Sequence, residues 1–101
     1  MDLSQEEWTL KQNEIKDSII LDVRTTEESN LKRIPNSKLL DIASPSDFME
    51  GLDSMDKKKS YFIYCRSGNR SSQACSVMAS VGFDKTYNLA GGIIEWEGET
   101  E

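Results

Sequence analysis

The run Tyr61-Phe62-Ile63-Tyr64 is apolar at every position, too short for a helix and without alternation, which predicts a strand buried on both faces. Ile19-Ile20-Leu21-Asp22-Val23, Lys38-Leu39-Leu40-Asp41-Ile42 and Lys85 to Leu89 read as further short strands. Between them the period lengthens. Ser44-Pro45-Ser46-Asp47 supplies an N-cap with proline at the first helical position, and Phe48, Leu52 and Met55 follow at i, i+4 and i+7. Ala74, Val77, Met78 and Val81 share one face of a helix over about 70–81. Ser4 with Glu7 forms a capping box, and Leu3 with Trp8 the flanking hydrophobic staple, so a short helix spans about 5–12. Thr25 and Glu28 form a second capping box. Pro35-Asn36 marks a turn, Gly91-Gly92 permits a tight one, and Ile93 to Glu97 begins a final helix.

Strands alternating with helices predict an α/β domain over residues 1–101, with a mostly parallel sheet of about five short strands and helices on both faces. Ligands of such sheets bind at the carboxyl ends of the strands. Asp22-Val23-Arg24, Cys65 to Ser71 and Ala90-Gly91-Gly92 all occupy that end.

Composition narrows the chemistry. A hydrophobic content of 37% beside 30% charged residues is that of a soluble globular protein. The net charge of −6 argues against nucleic acid and anionic membranes as partners. An anionic substrate therefore needs a local positive field. No apolar stretch approaches the roughly 20 residues that span a bilayer. The first residues lack the basic and apolar regions of a signal peptide. Cys65 and Cys75, ten positions apart with helix between them, lie about 15 Å apart, beyond disulfide reach. Free thiols suit a reducing, cytoplasmic setting. The chain has no histidine, which excludes Ser-His-Asp and Cys-His catalysis as usually built and removes the commonest metal ligand.

Cys65 is the candidate nucleophile, because it ends a buried strand where a loop opens into a helix. Backbone N–H groups converging there favour a thiolate. Gly68 supplies a conformation closed to other residues and leaves space for a ligand, while Arg66 and Arg70 are placed to hold an oxyanion by bidentate hydrogen bonds. Ser71 suits the N-cap and a hydrogen bond to the sulfur. Asp22 and Arg24 are either groups that orient the loop or an ion pair at a strand end. Cys75, Trp8, Met49, Met55 and Met78 read as packing residues, with Trp96 at the rim or mouth of the pocket. Lys57-Lys58-Lys59 reads as a solvated loop.

Cys65-Arg66-Ser67-Gly68-Asn69-Arg70-Ser71 resembles the active-site loop of single-domain rhodanese-like sulfurtransferases. Ile20-Leu21-Asp22-Val23-Arg24 with Glu27 or Glu28 after it, Arg33-Ile34-Pro35-Asn36-Ser37, Val81-Gly82-Phe83, and Asn88-Leu89-Ala90-Gly91-Gly92 with Trp96 resemble the family's other segments in order. The resemblance implies a three-layer α/β/α fold and a ping-pong reaction without metal or organic cofactor. Cys65 takes a sulfane sulfur from a small anionic donor such as thiosulfate. It then passes the sulfur to cyanide, a thiol or a protein acceptor. The N–H groups from Arg66 to Ser71, Asn69 included, cradle the persulfide. Related phosphatases place five residues between cysteine and arginine; here four, Arg66 to Asn69, separate Cys65 from Arg70, a loop sized for sulfur. Two other readings keep the loop: a relay or partner-binding module with little free turnover, and a small phosphatase or arsenate reductase. Lys32-Arg33 replaces the family's Gly-His, and Ser67 stands where some thiosulfate-preferring members carry lysine.

Overall fold

The computed structural model describes residues 1–101. Its elements run β1 (Asp2–Leu3), α1 (Gln5–Glu14), β2 (Ser18–Asp22), α2 (Thr26–Leu31), β3 (Lys38–Leu39), α3 (Pro45–Asp53), β4 (Ser60–Tyr64), α4 (Asn69–Ser80), β5 (Lys85–Leu89) and a 3-10 turn, Ile93–Glu95. The sheet order is β1-β5-β4-β2-β3 and every pairing is parallel.

β4 is the central strand, and its alternation divides the core in two. Tyr61, Ile63 and Cys65 face a cluster with Phe48 and Leu52 of α3 and Ala74, Cys75 and Met78 of α4. Phe62 and Tyr64 face the other side, with Leu3, Trp8, Ile34, Leu89 and Ile93. Both faces being covered explains why the strand carries no polar alternation. The result is the three-layer α/β/α arrangement expected.

Both capping boxes form as the sequence predicts. Ser4 Oγ accepts from Glu7 N and Thr25 Oγ1 from Glu28 N, and each glutamate returns a bond to its cap. Four expectations need correction. The strand expected over 38–42 is regular only at Lys38–Leu39. Leu40 and Ile42 still donate to Asp22 O and Val23 O, but a turn at Asp41, whose Oδ1 accepts from Ala43 N, ends it. α4 begins at Asn69 with Gly68 as its N-cap, so Ser71 lies inside the first turn and not at the cap. Met49 is 38% exposed, on the solvent side of α3, and does not fill the core. The helix expected from Ile93 stops after one 3-10 turn, because Trp96 leaves it extended and packs edge-on against Trp8 at 5.7 Å. The two-residue β1 carried no pattern of its own; it pairs with β5.

Candidate active site

Cys65 follows directly on β4 and is 1% exposed. The polypeptide beyond β5 fixes the loop's course: Ile93 N donates to Cys65 O at 2.9 Å and Ile94 N to Arg66 O at 3.0 Å. Gly92, at φ 65°, backs onto that stretch, where a Cβ would overlap the Arg66 carbonyl. Gly68, at φ 101°, takes the left-handed conformation anticipated for it. The space its missing side chain leaves is occupied by the Ala90 carbonyl, not kept open for a ligand.

The loop wraps its donors around the sulfur. Gly68 N donates to Cys65 Sγ at 3.1 Å and Ser71 Oγ lies 3.3 Å from it. Burial pushes the Cys65 thiol up. The Ser71 hydroxyl and the N–H groups of Ser71, Gly68 and Ser67 outweigh it, so the net shift is downward from the ordinary thiol value. Cys75, without such a cradle, is pushed up by burial, consistent with its packing role in the core.

Ser71 has one proton and two acceptors within reach, Cys65 Sγ and Asn88 Oδ1. Asn88 Nδ2 donates to Asp2 Oδ1 at 2.9 Å and to Gly68 O at 3.2 Å, which turns its Oδ1 toward Ser71. A protonated thiol can donate to Ser71 while Ser71 donates to Asn88; a thiolate takes the serine proton instead. The geometry therefore offers a hydrogen-bond partner in both ionisation states. Sequence reasoning did not assign Asn88 this part; its only signal was the Asn88-to-Gly92 segment of the resemblance. Ser71→Ala is expected to move the midpoint of Cys65 alkylation by iodoacetamide to higher pH, read from rates measured across a pH series. An unchanged midpoint would remove Ser71 from thiolate stabilisation.

The arginines divide differently from expectation. Arg70 donates both terminal nitrogens to Glu28, Nη1 to Oε1 at 2.8 Å and Nη2 to Oε2 at 2.9 Å, so its bidentate edge holds a carboxylate of this chain and not a free oxyanion. Arg70, more than the backbone of Thr25, holds the Glu28 carboxyl down at about 2. Arg66 is exposed and has no carboxylate partner, which leaves it the cation available to an anion at the loop. Ser67 and Asn69 are also exposed.

Asp22 and Arg24 form a buried ion pair, 0% and 4% exposed. Arg24 Nε and Nη2 donate to Asp22 Oδ1 and Oδ2 at 2.9 and 2.8 Å, and Arg24 N and Tyr64 OH donate to the same carboxylate. Arg24 Nη2 also reaches Lys32 O at 2.7 Å, and Tyr64 OH accepts from Ile34 N. The pair thus ties the end of β2 to the residue before Cys65 and to the segment after α2. Arg33, at the family's histidine position, instead pairs with Glu101. Trp96 lines a cavity, but not one at the thiol. The largest cavity, about 530 Å³, runs between Trp8, Ile20, Ile34, Pro35 and Trp96 and includes no residue of the loop.

The rhodanese-like domain family model matches residues 5–99. The chain is 39% identical over 82 residues to the sulfurtransferase candidate YtwF of Bacillus subtilis (strain 168), covering 81% of this chain and 76% of that protein. It is 31% identical over 96 residues to a sulfurtransferase of Allochromatium vinosum, covering 94% and 86%. Among solved structures, a rhodanese-like domain protein of Staphylococcus aureus superposes with a TM-score of 0.81 at 32% identity, covering 97% of this chain and 92% of that one.

Proposed function

Because this chain belongs to the rhodanese-like domain family, we propose that it is a sulfurtransferase carrying sulfane sulfur on Cys65, loaded from a small anionic donor such as thiosulfate. The observation that carries the reading is the set of donors closed around one sulfur atom: Gly68 N, Ser71 Oγ and the neighbouring N–H groups.

In the first half-reaction the Cys65 thiolate attacks the outer sulfur of thiosulfate. A new S–S bond forms, the donor's S–S bond breaks, and sulfite leaves with the electron pair. Arg66 meets the sulfonate end of the donor, supplying the local positive charge that a chain of net charge −6 otherwise lacks. The loop N–H groups then stabilise the charge on the outer persulfide sulfur. In the second half, cyanide or a thiolate attacks that outer sulfur, the persulfide bond breaks, and Cys65 leaves as the thiolate the loop already favours.

Phosphate chemistry fits less well. The arginine that would clamp a phosphate is taken by Glu28, and that carboxylate stays ionised at any ordinary pH. Both cysteines are free and buried, which suits a reducing compartment such as the cytoplasm. No helix is long and apolar enough to cross a membrane.

Incubation with thiosulfate is expected to add one sulfur atom to Cys65, seen by intact mass and located by peptide mapping. Addition of cyanide should then remove it with release of one thiocyanate. A protein that stays unmodified, or that takes the sulfur on Cys75, would refute the assignment.

A further inference from the structure

We propose that the recess between the end of α2 and the 3-10 turn is the docking surface for an acceptor protein, one that offers its thiol on an acidic segment containing an aliphatic side chain. The proposal rests on the reading of Cys65 as a sulfur carrier. The recess encloses about 250 Å³ and its lining includes Leu31, Lys32, Arg66, Ile93 and Ile94.

Two large apolar side chains stand in solvent on its walls, Leu31 at 88% exposure and Ile94 at 58%. Both are registered to the active-site loop. The backbone N–H of Ile94 donates to Arg66 O. Leu31 ends the helix whose Glu28 grips Arg70. A small anion such as thiosulfate has use for Arg66 and none for Leu31 or Ile94. A polypeptide segment has use for all of them, since apolar walls bind a side chain and exclude water around the transfer.

Charge selects the kind of segment. Four charged side chains line the recess, and two are already matched within the chain, Arg24 by Asp22 and Glu28 by Arg70. Lys32 and Arg66 are exposed with no carboxylate partner. The recess is thus a cationic, apolar-walled surface on a chain of net charge −6, complementary to carboxylates flanking an aliphatic residue. At this surface the acceptor thiolate attacks the outer sulfur of protonated Cys65–S–SH. A new S–S bond forms, the Cys65 S–S bond breaks, and the proton stays on the transferred sulfur, leaving an acceptor persulfide and the Cys65 thiolate.

The test uses the full chain, loaded at Cys65 with thiosulfate, and follows its discharge by the peptide GDLEGC, its basic counterpart GKLKGC, free cysteine and cyanide. The acidic peptide should react roughly tenfold faster than the basic one at low salt, the advantage shrinking as salt rises. Leu31→Ser should bring the acidic peptide down toward the free-cysteine rate while cyanide discharge stays at the wild-type rate. Lys32→Glu should reverse the preference between the two peptides. Equal rates for both peptides with the unaltered protein would overturn the proposal. So would a self-associating protein whose dimer is lost in Leu31→Ser, which would give the surface to a second copy. Absence of sulfur on Cys65 before any acceptor is added would instead refute the carrier reading itself.

Discussion

Cys65→Ser is expected to abolish sulfur transfer, lowering thiocyanate formation from thiosulfate and cyanide by at least about 10⁴-fold, to the uncatalysed background. The serine oxygen can accept from Gly68 N and Ser71 Oγ much as the sulfur does, so the loop has no reason to move. A thermal melt should therefore stay within about 1 kcal/mol of the parent stability. What fails is chemical. A serine hydroxyl lacks the low pKa that the cradle gives the thiol, and an oxygen–sulfur adduct offers no persulfide bond for the acceptor to break. Residual turnover in this variant would place the nucleophile elsewhere, and Cys75, with its thiol pushed up by burial, would be the first residue to examine.

The second large effect concerns stability. Asp22→Ala leaves Arg24, 4% exposed, with its guanidinium facing no carboxylate. Removing one partner of a buried pair costs about 3–5 kcal/mol, a large share of the roughly 5–15 kcal/mol that stabilises a domain. For a chain of this size a drop in melting temperature of about 12 °C or more follows. The loss should spread beyond the pair, because the same carboxylate receives Tyr64 OH, whose oxygen in turn accepts from Ile34 N. The apolar double variant Asp22→Leu with Arg24→Met should recover much of the melting temperature, since it removes both charges together. A single variant that melts within a few degrees of the parent would show that the pair contributes little to the fold.

Most of the framework was legible from local pattern. β4 announced itself as a continuous apolar run, α3 through Phe48 and Leu52 at helical spacing, and both capping boxes through a hydroxyl and a glutamate three residues apart. Cys65, Gly68 and Ser71 were legible because loop donors are contributed by near neighbours. The partner of Arg70 was not. Glu28 lies 42 positions away, and only the side-by-side pairing of β2 with β4 brings their helices together. Asn88 was unassigned for the same reason: its bonds reach the Gly68–Ser71 stretch and Asp2, in two segments distant from it along the chain. Trp96 shows tertiary packing overriding local tendency, since its contact with Trp8 ended a turn that apolar spacing would have continued.

The bonds from Ile93 and Ile94 back to Cys65 and Arg66 bear on the order in which the protein is made. Translation delivers the thiol well before the residues that bend its loop into shape, and Asn88, which orients the Ser71 hydroxyl, also arrives after it. A nascent chain on the ribosome thus carries Cys65 as an ordinary thiol. The donors around its sulfur come together only when nearly the whole domain has emerged and folded, so on the proposed sulfur-carrier reading maturation itself would guard the cysteine against premature loading.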